Sequence, residues 1–292
     1  MLSARRDAPR RMVLVVSDDG RDVERWMRFA EVSQGSIGFG TLDPSTGDVA
    51  VHRGDMFGAS TPTGERVSLD EVVVLPPCQP SKIVGLWNNL EAAAAKNGWG
   101  RPAEPLYFFK PSTACIGHGA AVVAPGSYAG RILYEGELGV VIGTRCADVD
   151  VADVDDVIFG YTCVNDVTAF EIITDDDSFP QWCRAKSFDT FAPIGPVIAR
   201  GLDPDDLTVR TRVGGKVRQD YPVSDMFFSP RQLVSLISRG MTLLPGDVIA
   251  CGTSTGAMPM RPGVTIEVEV AGIGVLANAL QKVETSETEP VG

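Results

Sequence analysis

Short, β-branched segments bounded by glycine or proline recur along this chain, and they restrict it to a fold built mainly from strands. Examples are residues 138–143, 158–164, 197–199 and 247–251. Helical pattern is confined to a few pieces, notably residues 231–239, where Ser229 is placed as an N-cap and Pro230 as a first-turn proline. We therefore expect an α+β fold that is predominantly β.

The N-terminal part of the chain consists of short apolar runs separated by turn-rich sequence. These runs lie at residues 12–16, 37–42, 49–52 and 72–75. Pro76 and Pro77 then form a stiff connector that disfavours helix on its N-terminal side. We predict a small β-rich domain over residues 1–77 and a larger, mostly sheet domain over residues 78–284.

Apolar and acidic residues alternate through residues 265–270, which predicts a closing hairpin or meander in the larger domain. The two ends of the chain have a different composition. Residues 1–10 are rich in arginine and proline, and residues 285–292 are polar. We expect a loose arm at the first end and a flexible tail at the second, neither with a function of its own.

Charge and composition exclude several classes of function. The formal net charge of 26 − 38 = −12 is spread along the 292 residues, which disfavours nucleic acid as a partner. No apolar run is long enough to span a membrane, and the start has no apolar signal region, so we expect a cytoplasmic protein without a membrane partner. The six cysteines have no zinc-like spacing, and with only two histidines any metal site must use oxygen ligands.

Three acidic residues are the candidate metal ligands. Glu135 and Glu137 precede an apolar run, and the period of two in a strand puts them on one face, about 7 Å apart along the backbone. Asp166 ends another apolar run. Oxygen ligands of this kind suit Mg²⁺, Mn²⁺ or Ca²⁺. The alternative is that Glu135 and Glu137 form the solvated face of an edge strand.

The acidic residues occur together with other motifs whose order along the chain is specific. Over roughly residues 80–282 the sequence resembles the fumarylacetoacetate hydrolase family. The matching motifs are PSKIVGL at 80–86, FK at 109–110, YEGEL at 134–138, GYT at 160–162, NDV at 165–167, KSFD at 186–189, LPGDVI at 244–249, GT at 252–253 and GIG at 272–274.

The resemblance carries expectations about fold, metal and substrate. It implies the family's mixed β-sandwich roll, a Mg²⁺ or Mn²⁺ site on Glu135, Glu137 and Asp166, and a homodimer. It also implies small-molecule substrates that are 2-oxo acids, often 1,3-diketo acids. Such substrates chelate a cation through two oxygens, so the metal both orients them and stabilises an enolate.

Five further residues are candidates for the substrate site. Lys186 can place a positive charge beside a developing oxyanion, and we assign it a catalytic role; the alternative is a surface lysine whose stem covers apolar neighbours. Thr253 and Gly252, in a glycine-rich turn, can bind a carboxylate or position water, or can form an ordinary hairpin turn. Lys110 can reach a substrate carboxylate or remain an exposed strand-end lysine. Gln219 is a further candidate for substrate binding.

The sequence departs from the family at one catalytic position. Many members carry a histidine shortly after the Gly-Leu that corresponds to residues 85–86, and here Glu91 falls at that place. Glu91 either replaces the histidine as general base on a lid helix or pairs with Asn88 in a capping box. His118 does not lie at the family's catalytic position, so we expect a structural or supporting role for it, and His52 is expected to be structural.

Three functions remain open on the sequence alone. The main hypothesis is a metal-dependent hydrolase that cleaves a carbon–carbon bond in an acylpyruvate-like or other β-diketo or 2-oxo acid. The alternative is a decarboxylase or isomerase (tautomerase) that uses the same metal and enolate, which the missing histidine favours. The third is a non-catalytic homologue that serves as a binding subunit.

Overall fold

The computed structural model describes residues 14–16 and 22–282. The strands are β1 Glu24–Glu31, β2 Ile37–Asp43, β3 Asp48–Gly54, β4 Ser60–Ser68, β5 Val72–Val74, β6 Ile83–Trp87, β7 Leu106–Lys110, β8 Cys115–Ile116, β9 Val122–Ala124, β10 Ile132–Leu133, β11 Gly136–Ile142, β12 Ile158–Asn165, β13 Thr168–Ala169, β14 Ala192–Arg200, β15 Thr208–Val213, β16 Lys216–Pro222, β17 Val248–Ala250, β18 Thr265–Val270 and β19 Gly274–Lys282. The α-helices of the described residues are α1 Glu91–Asn97, α2 Trp182–Lys186 and α3 Pro230–Gly240.

Two sheets form most of the molecule, which confirms the predominantly β fold. The larger runs in the order β4-β3-β2-β1-β14-β12-β11-β17-β6-β7, and the smaller in the order β16-β15-β18-β19-β9. Strand β11 is buried along its whole length. Alternate residues of β11 pack in two different hydrophobic clusters. Val140 belongs to the cluster that includes Val268 of the smaller sheet, and Val141 belongs to the cluster that includes Ala250 of the larger sheet.

The N-terminal strands extend the larger sheet. Strand β1 pairs antiparallel with β14, and Trp26 lies opposite Ile198. Met27 and Phe29 of β1 are almost completely buried, so this segment adds to the main core. The predicted boundary at residue 77 lies between β5 and β6.

Two local predictions are confirmed. Helix α3 begins after Ser229, whose hydroxyl accepts from the Gln232 N–H, while the Gln232 side chain accepts from the Ser229 N–H. The predicted closing meander is the antiparallel pair of β18 and β19. The expected N-terminal arm and C-terminal tail lie outside the described residues. Among the described residues, no helix has the length and apolar character that a membrane crossing requires.

Candidate metal centre and active site

Three carboxylates converge where β11 begins and β12 ends. Glu135, Glu137 and Asp166 each offer an oxygen, and these three atoms lie within 4.8 Å of one another. Strand β11 starts at Gly136, so Glu135 precedes the strand that was predicted to include it. The edge-strand alternative is wrong, because β11 lies between β12 and β17 and Glu137 is completely buried.

Backbone hydrogen bonds fix the two acidic segments to each other. The Glu135 N–H donates to Oδ1 of Asn165 at 3.0 Å, and the Asp166 N–H donates to the Glu135 carbonyl at 2.8 Å. The Thr168 hydroxyl donates to Oε1 of Glu135 at 2.6 Å. Backbone groups and the side chains of Asn165 and Thr168 together therefore preorganise the carboxylates, which a site for a small cation requires.

Two buried lysines lie against the carboxylates. Lys186 Nζ donates to Glu135 Oε2 at 2.8 Å and also to Asp166 Oδ2. Lys110 Nζ donates to Asp166 Oδ1 at 2.6 Å and to the Val167 carbonyl at 3.0 Å. Both lysine side chains are at most 2% exposed, so the surface-lysine alternatives are wrong for both residues.

Burial and neighbouring charges change the pKa of each group. Burial alone would raise the pKa of Asp166, but the Lys110 and Lys186 ammonium groups lower it below its usual value. Burial would lower the pKa of Lys186, but the charges of Asp166 and Glu135 raise it. Asp166 and Lys186 thus form a charged pair. Burial dominates at Lys110 and lowers its pKa, in spite of the opposing effect of Asp166.

Glu137 has the least compensated charge of the three acids. Its Oε2 accepts from the Gly252 N–H at 2.8 Å, and its Oε1 is buried without a hydrogen-bond donor among the described residues. Burial, and then the nearby charges of Asp166 and Glu135, raise the pKa of Glu137 well above its usual value. A divalent cation fits this set of donors, because three carboxylates face only two ammonium groups and one carboxylate oxygen lacks a partner.

The glycine-rich turn after β17 contributes a backbone donor and needs its glycine. Gly252 has a φ of +95°, a conformation that favours glycine. A Cβ at this position would also lie 3.3 Å from atoms of Asn89 and Leu90. The turn is not a hairpin, because β17 and the following strand β18 belong to different sheets.

The side chains of Gln219 and Thr253 connect the two sheets beneath the carboxylates. Gln219 accepts from the Gly136 N–H at 3.0 Å and donates to the Thr253 hydroxyl and the Ser254 carbonyl, at 2.8 and 3.0 Å. The Thr253 hydroxyl donates to the Gly136 carbonyl at 2.8 Å. Both side chains were predicted as substrate ligands, and in this structure both form hydrogen bonds with other protein groups. These bonds position the start of β11, the strand that carries Glu137.

Glu91 is the first residue of α1 and is exposed. The capping-box alternative is wrong, because the N-cap residue is Leu90, which makes no side-chain cap, and the Asn88 amide instead donates to the Gly100 carbonyl at 3.0 Å. Asn88 has a φ of +55°, so the chain turns sharply into the helix. Leu90 packs beside Gly252, and the helix therefore starts close to the carboxylates.

The two histidines lie in structural surroundings. The Ala277 N–H of β19 donates to Nδ1 of His118 at 3.2 Å, and His118 is buried. The ring of His52 packs edge-on against Trp26 at 4.8 Å between centroids. These contacts agree with the structural roles expected for both residues.

Sequence reasoning missed several residues that support the centre. Asn165 directly precedes Asp166, and Thr168 follows it by two residues. Their polar side chains beside a candidate ligand at a strand end could have indicated both. Tyr221 had no such signal, because it lies on β16 of the other sheet. Its hydroxyl donates to the Gly136 carbonyl at 2.8 Å.

Comparisons with known proteins agree with this arrangement. The family described as fumarylacetoacetate (FAA) hydrolase C-terminal matches residues 82–281, and the one described as Rv2993c-like, N-terminal matches residues 24–77. The oxaloacetate tautomerase YisK of Bacillus subtilis is 37% identical over 73% of this chain and 74% of its own length.

Two solved structures are similar over almost their entire length. The 5-carboxymethyl-2-hydroxymuconate delta-isomerase from Mycobacterium smegmatis is 36% identical with a TM-score of 0.81, over 88% of this chain and 99% of that one. The 2-hydroxyhepta-2,4-diene-1,7-dioate isomerase from Mycobacterium marinum is 35% identical with a TM-score of 0.80, over 89% of this chain and 99% of that one. The resemblance found in the sequence is thus confirmed, and the chain belongs to the fumarylacetoacetate hydrolase family.

Proposed function

We propose that the protein is a divalent-metal-dependent isomerase that interconverts the keto and enol forms of a 2-oxo acid. The observation that carries the proposal is the cluster of three carboxylates, two of them buried, with Lys186 in contact with Glu135 and Asp166. The similar proteins described above are a tautomerase and two isomerases, which supports this alternative over carbon–carbon hydrolysis. Hydrolysis also needs an activated water, and the usual histidine for that step is replaced by Glu91.

Glu135, Glu137 and Asp166 would hold the cation, for which Mg²⁺ and Mn²⁺ are the candidates. The bound cation would supply positive charge that stabilises the enolate form of the substrate. The orphaned Oε1 of Glu137 and the excess of carboxylates over lysines support this assignment.

The chain's own residues would bind the substrate and move its proton. Lys186 keeps its proton beside Asp166 and Glu135, so its ammonium group stabilises negative charge on the C2 oxygen. In the forward step the C3–H bond breaks and its proton passes to a base; the C2 oxygen then takes a proton from water, and the base later returns its own proton to water. We assign the base to Glu91, which α1 would carry over the centre when the lid closes.

The proposal is tested by following the loss of enol absorbance in a series of 2-oxo acids that includes oxaloacetate and phenylpyruvate, with Mg²⁺ or with a chelator. We expect acceleration that requires Mg²⁺ and yields only the keto form. Water-derived cleavage products would restore the hydrolase hypothesis, and release of CO₂ would favour a decarboxylase. A protein that binds no Mg²⁺ or Mn²⁺ would instead be a non-catalytic homologue.

The role of Glu91 is tested in the same assay with Glu91→Gln. We expect kcat to fall about 100-fold with KM nearly unchanged, because a general base contributes to the transition state only. Glu104→Gln, a matched change at an exposed glutamate of the same region, should leave kcat unchanged. A Glu91→Gln variant with full activity would exclude Glu91 as the base.

A further inference from the structure

Four aromatic side chains lead away from the buried ammonium group of Lys186. Lys186 Nζ lies 4.8 Å from the centre of the Phe108 ring. Phe108 stacks on Trp182 with centroids 5.9 Å apart, Trp182 meets Trp87 at 5.5 Å, and Trp87 meets Trp99 at 4.7 Å. We call Phe108, Trp182, Trp87 and Trp99 the aromatic series.

Strand register places part of this series on the sheet face that carries the carboxylates. Gly139 of β11 lies opposite Ala250 of β17, Ala250 opposite Gly85 of β6, and Gly85 opposite Phe108 of β7. Directly paired residues share a face, and so do residues two apart along a strand. By the same rule Glu137, Lys110 and Trp87 lie on that face as well.

The solvent exposure of the rings increases along the series, away from Lys186. Phe108 is 5% exposed, Trp87 and Trp182 are half-buried, and Trp99 is 43% exposed. Gly85 belongs to this arrangement, because a Cβ there would lie 2.4 Å from the Phe108 ring. Partly open aromatic rings beside a charged centre form a surface on which a planar apolar group can stack.

Acidic side chains at the start of α1, the helix between Trp87 and Trp99 in the chain, disfavour a second carboxylate on a substrate that reaches it. Glu91 is at the start of α1, and Asp225 accepts from the Ala92 N–H at 3.2 Å, so two acidic side chains lie at this end of the helix. Arg101 is held at the same end of the helix by protein contacts, since it donates to the Phe227 carbonyl at 2.8 Å and its guanidinium lies over the Phe228 ring. An anionic distal group would meet repulsion here.

We propose that the aromatic series is the subsite for the distal end of the substrate. It selects 2-oxo acids that carry one carboxylate and a planar apolar tail, such as an aryl or alkenyl group. The inference rests on the proposed function for the position of the reacting end. The carboxylate and keto oxygens would lie at the carboxylates and Lys186, and the tail would pass the buried Phe108 and extend over the half-buried Trp182 and Trp87.

The test compares phenylpyruvate, which has an aryl tail, with oxaloacetate, which has a second carboxylate. Wild type with Mg²⁺ should show the higher kcat/KM for phenylpyruvate. Trp87→Leu should raise KM for phenylpyruvate about tenfold with little change in kcat, because stacking contributes equally to binding of substrate and transition state. The KM for oxaloacetate should not change, and Trp87→Phe should restore most of the lost affinity.

Tyr107→Leu is the matched control. Tyr107 is on the same strand as Phe108 but on its opposite face, and it is 43% exposed. This substitution should leave kcat and KM unchanged for both substrates. Equal loss of kcat for both substrates in Trp87→Leu would show that Trp87 merely supports the lid and would overturn the proposal, as would a preference of wild type for oxaloacetate.

Calorimetric titration of both acids in the presence of Mg²⁺ separates the two proposals. One outcome is that neither acid is converted, phenylpyruvate binds more tightly than oxaloacetate, and Trp87→Leu weakens the binding of phenylpyruvate. In that case the proposed isomerase function fails and the subsite stands. If both acids are converted and oxaloacetate binds more tightly, the function stands and the subsite is wrong. Absence of binding by either acid would overturn both proposals.

Discussion

Glu137→Gln should lower the affinity for Mn²⁺ at least about 100-fold and remove metal-dependent activity with it. The amide keeps an oxygen that can accept from the Gly252 N–H, as Glu137 Oε2 does at 2.8 Å. It removes the negative charge, and Oε1 is the oxygen that has no donor among the described residues. Titration calorimetry with Mn²⁺ measures the loss directly.

The same variant should not destabilise the metal-free protein. Burial and the neighbouring carboxylates already raise the pKa of Glu137, so a neutral side chain of the same shape removes an unfavourable charge. Thermal unfolding with a chelator should therefore show a Tm equal to or above that of wild type. Glu65→Gln, on the exposed part of β4, controls for the change of net charge. Unaltered Mn²⁺ affinity in Glu137→Gln would remove this residue from the metal site.

Lys186→Met should separate metal binding from catalysis. We expect kcat to fall by about 100- to 1,000-fold, because the variant lacks the positive charge that faces the developing oxyanion. Affinity for Mn²⁺ should be kept or increased, since the ammonium group competes with the cation for Glu135 and Asp166. Steady-state kinetics at saturating Mn²⁺ and calorimetry measure the two effects.

The metal-free Lys186→Met protein should also lose about 3 kcal/mol of unfolding free energy, because the buried Asp166 keeps only Lys110 as a charged partner and the half-buried Glu135 keeps none. Lys82→Met is the matched control. Lys82 also pairs with a buried carboxylate, Asp247, but that group keeps the Ser81 and Leu244 N–H donors and the Ser81 hydroxyl. A smaller loss of stability and normal kcat are expected there. If Lys186→Met retained wild-type kcat, Lys186 would be only a structural partner of the carboxylates.

The sequence predicted those features that local pattern determines. Alternation and short apolar runs indicated strands, and the Ser229-Pro230 pair indicated the start of α3, because these signals act within a few residues. The carboxylates and Lys186 were found because the order of the motifs identified the family. The edge-strand alternative for Glu135 and Glu137 could be excluded only from the structure, because β11 is central through its neighbouring strands β12 and β17.

Features that depend on distant contacts were not predictable in this way. The contacts of Gln219 with Gly136 and Ser254 are an example, because these partners lie 83 and 35 residues away along the chain; its role as a substrate ligand stays a prediction. The capping box predicted for Asn88 and Glu91 fails because Asn88 takes a positive φ and donates to Gly100 instead. The aromatic series joins four separate segments, β6, the stretch after α1, β7 and α2, and no single segment has a pattern that indicates it.

We propose that the active site exchanges a proton at C3 of a 2-oxo acid without breaking a carbon–carbon bond. Proton NMR in D₂O, with Mg²⁺ and a slowly enolising acid such as 2-oxobutanoate, measures this directly. We predict enzyme-catalysed entry of deuterium at C3 that stops on chelation of Mg²⁺ and is absent in Glu137→Gln, with the carbon skeleton intact. Exchange that persists in Glu137→Gln or in chelator, or cleavage of the skeleton in place of exchange, would contradict the account.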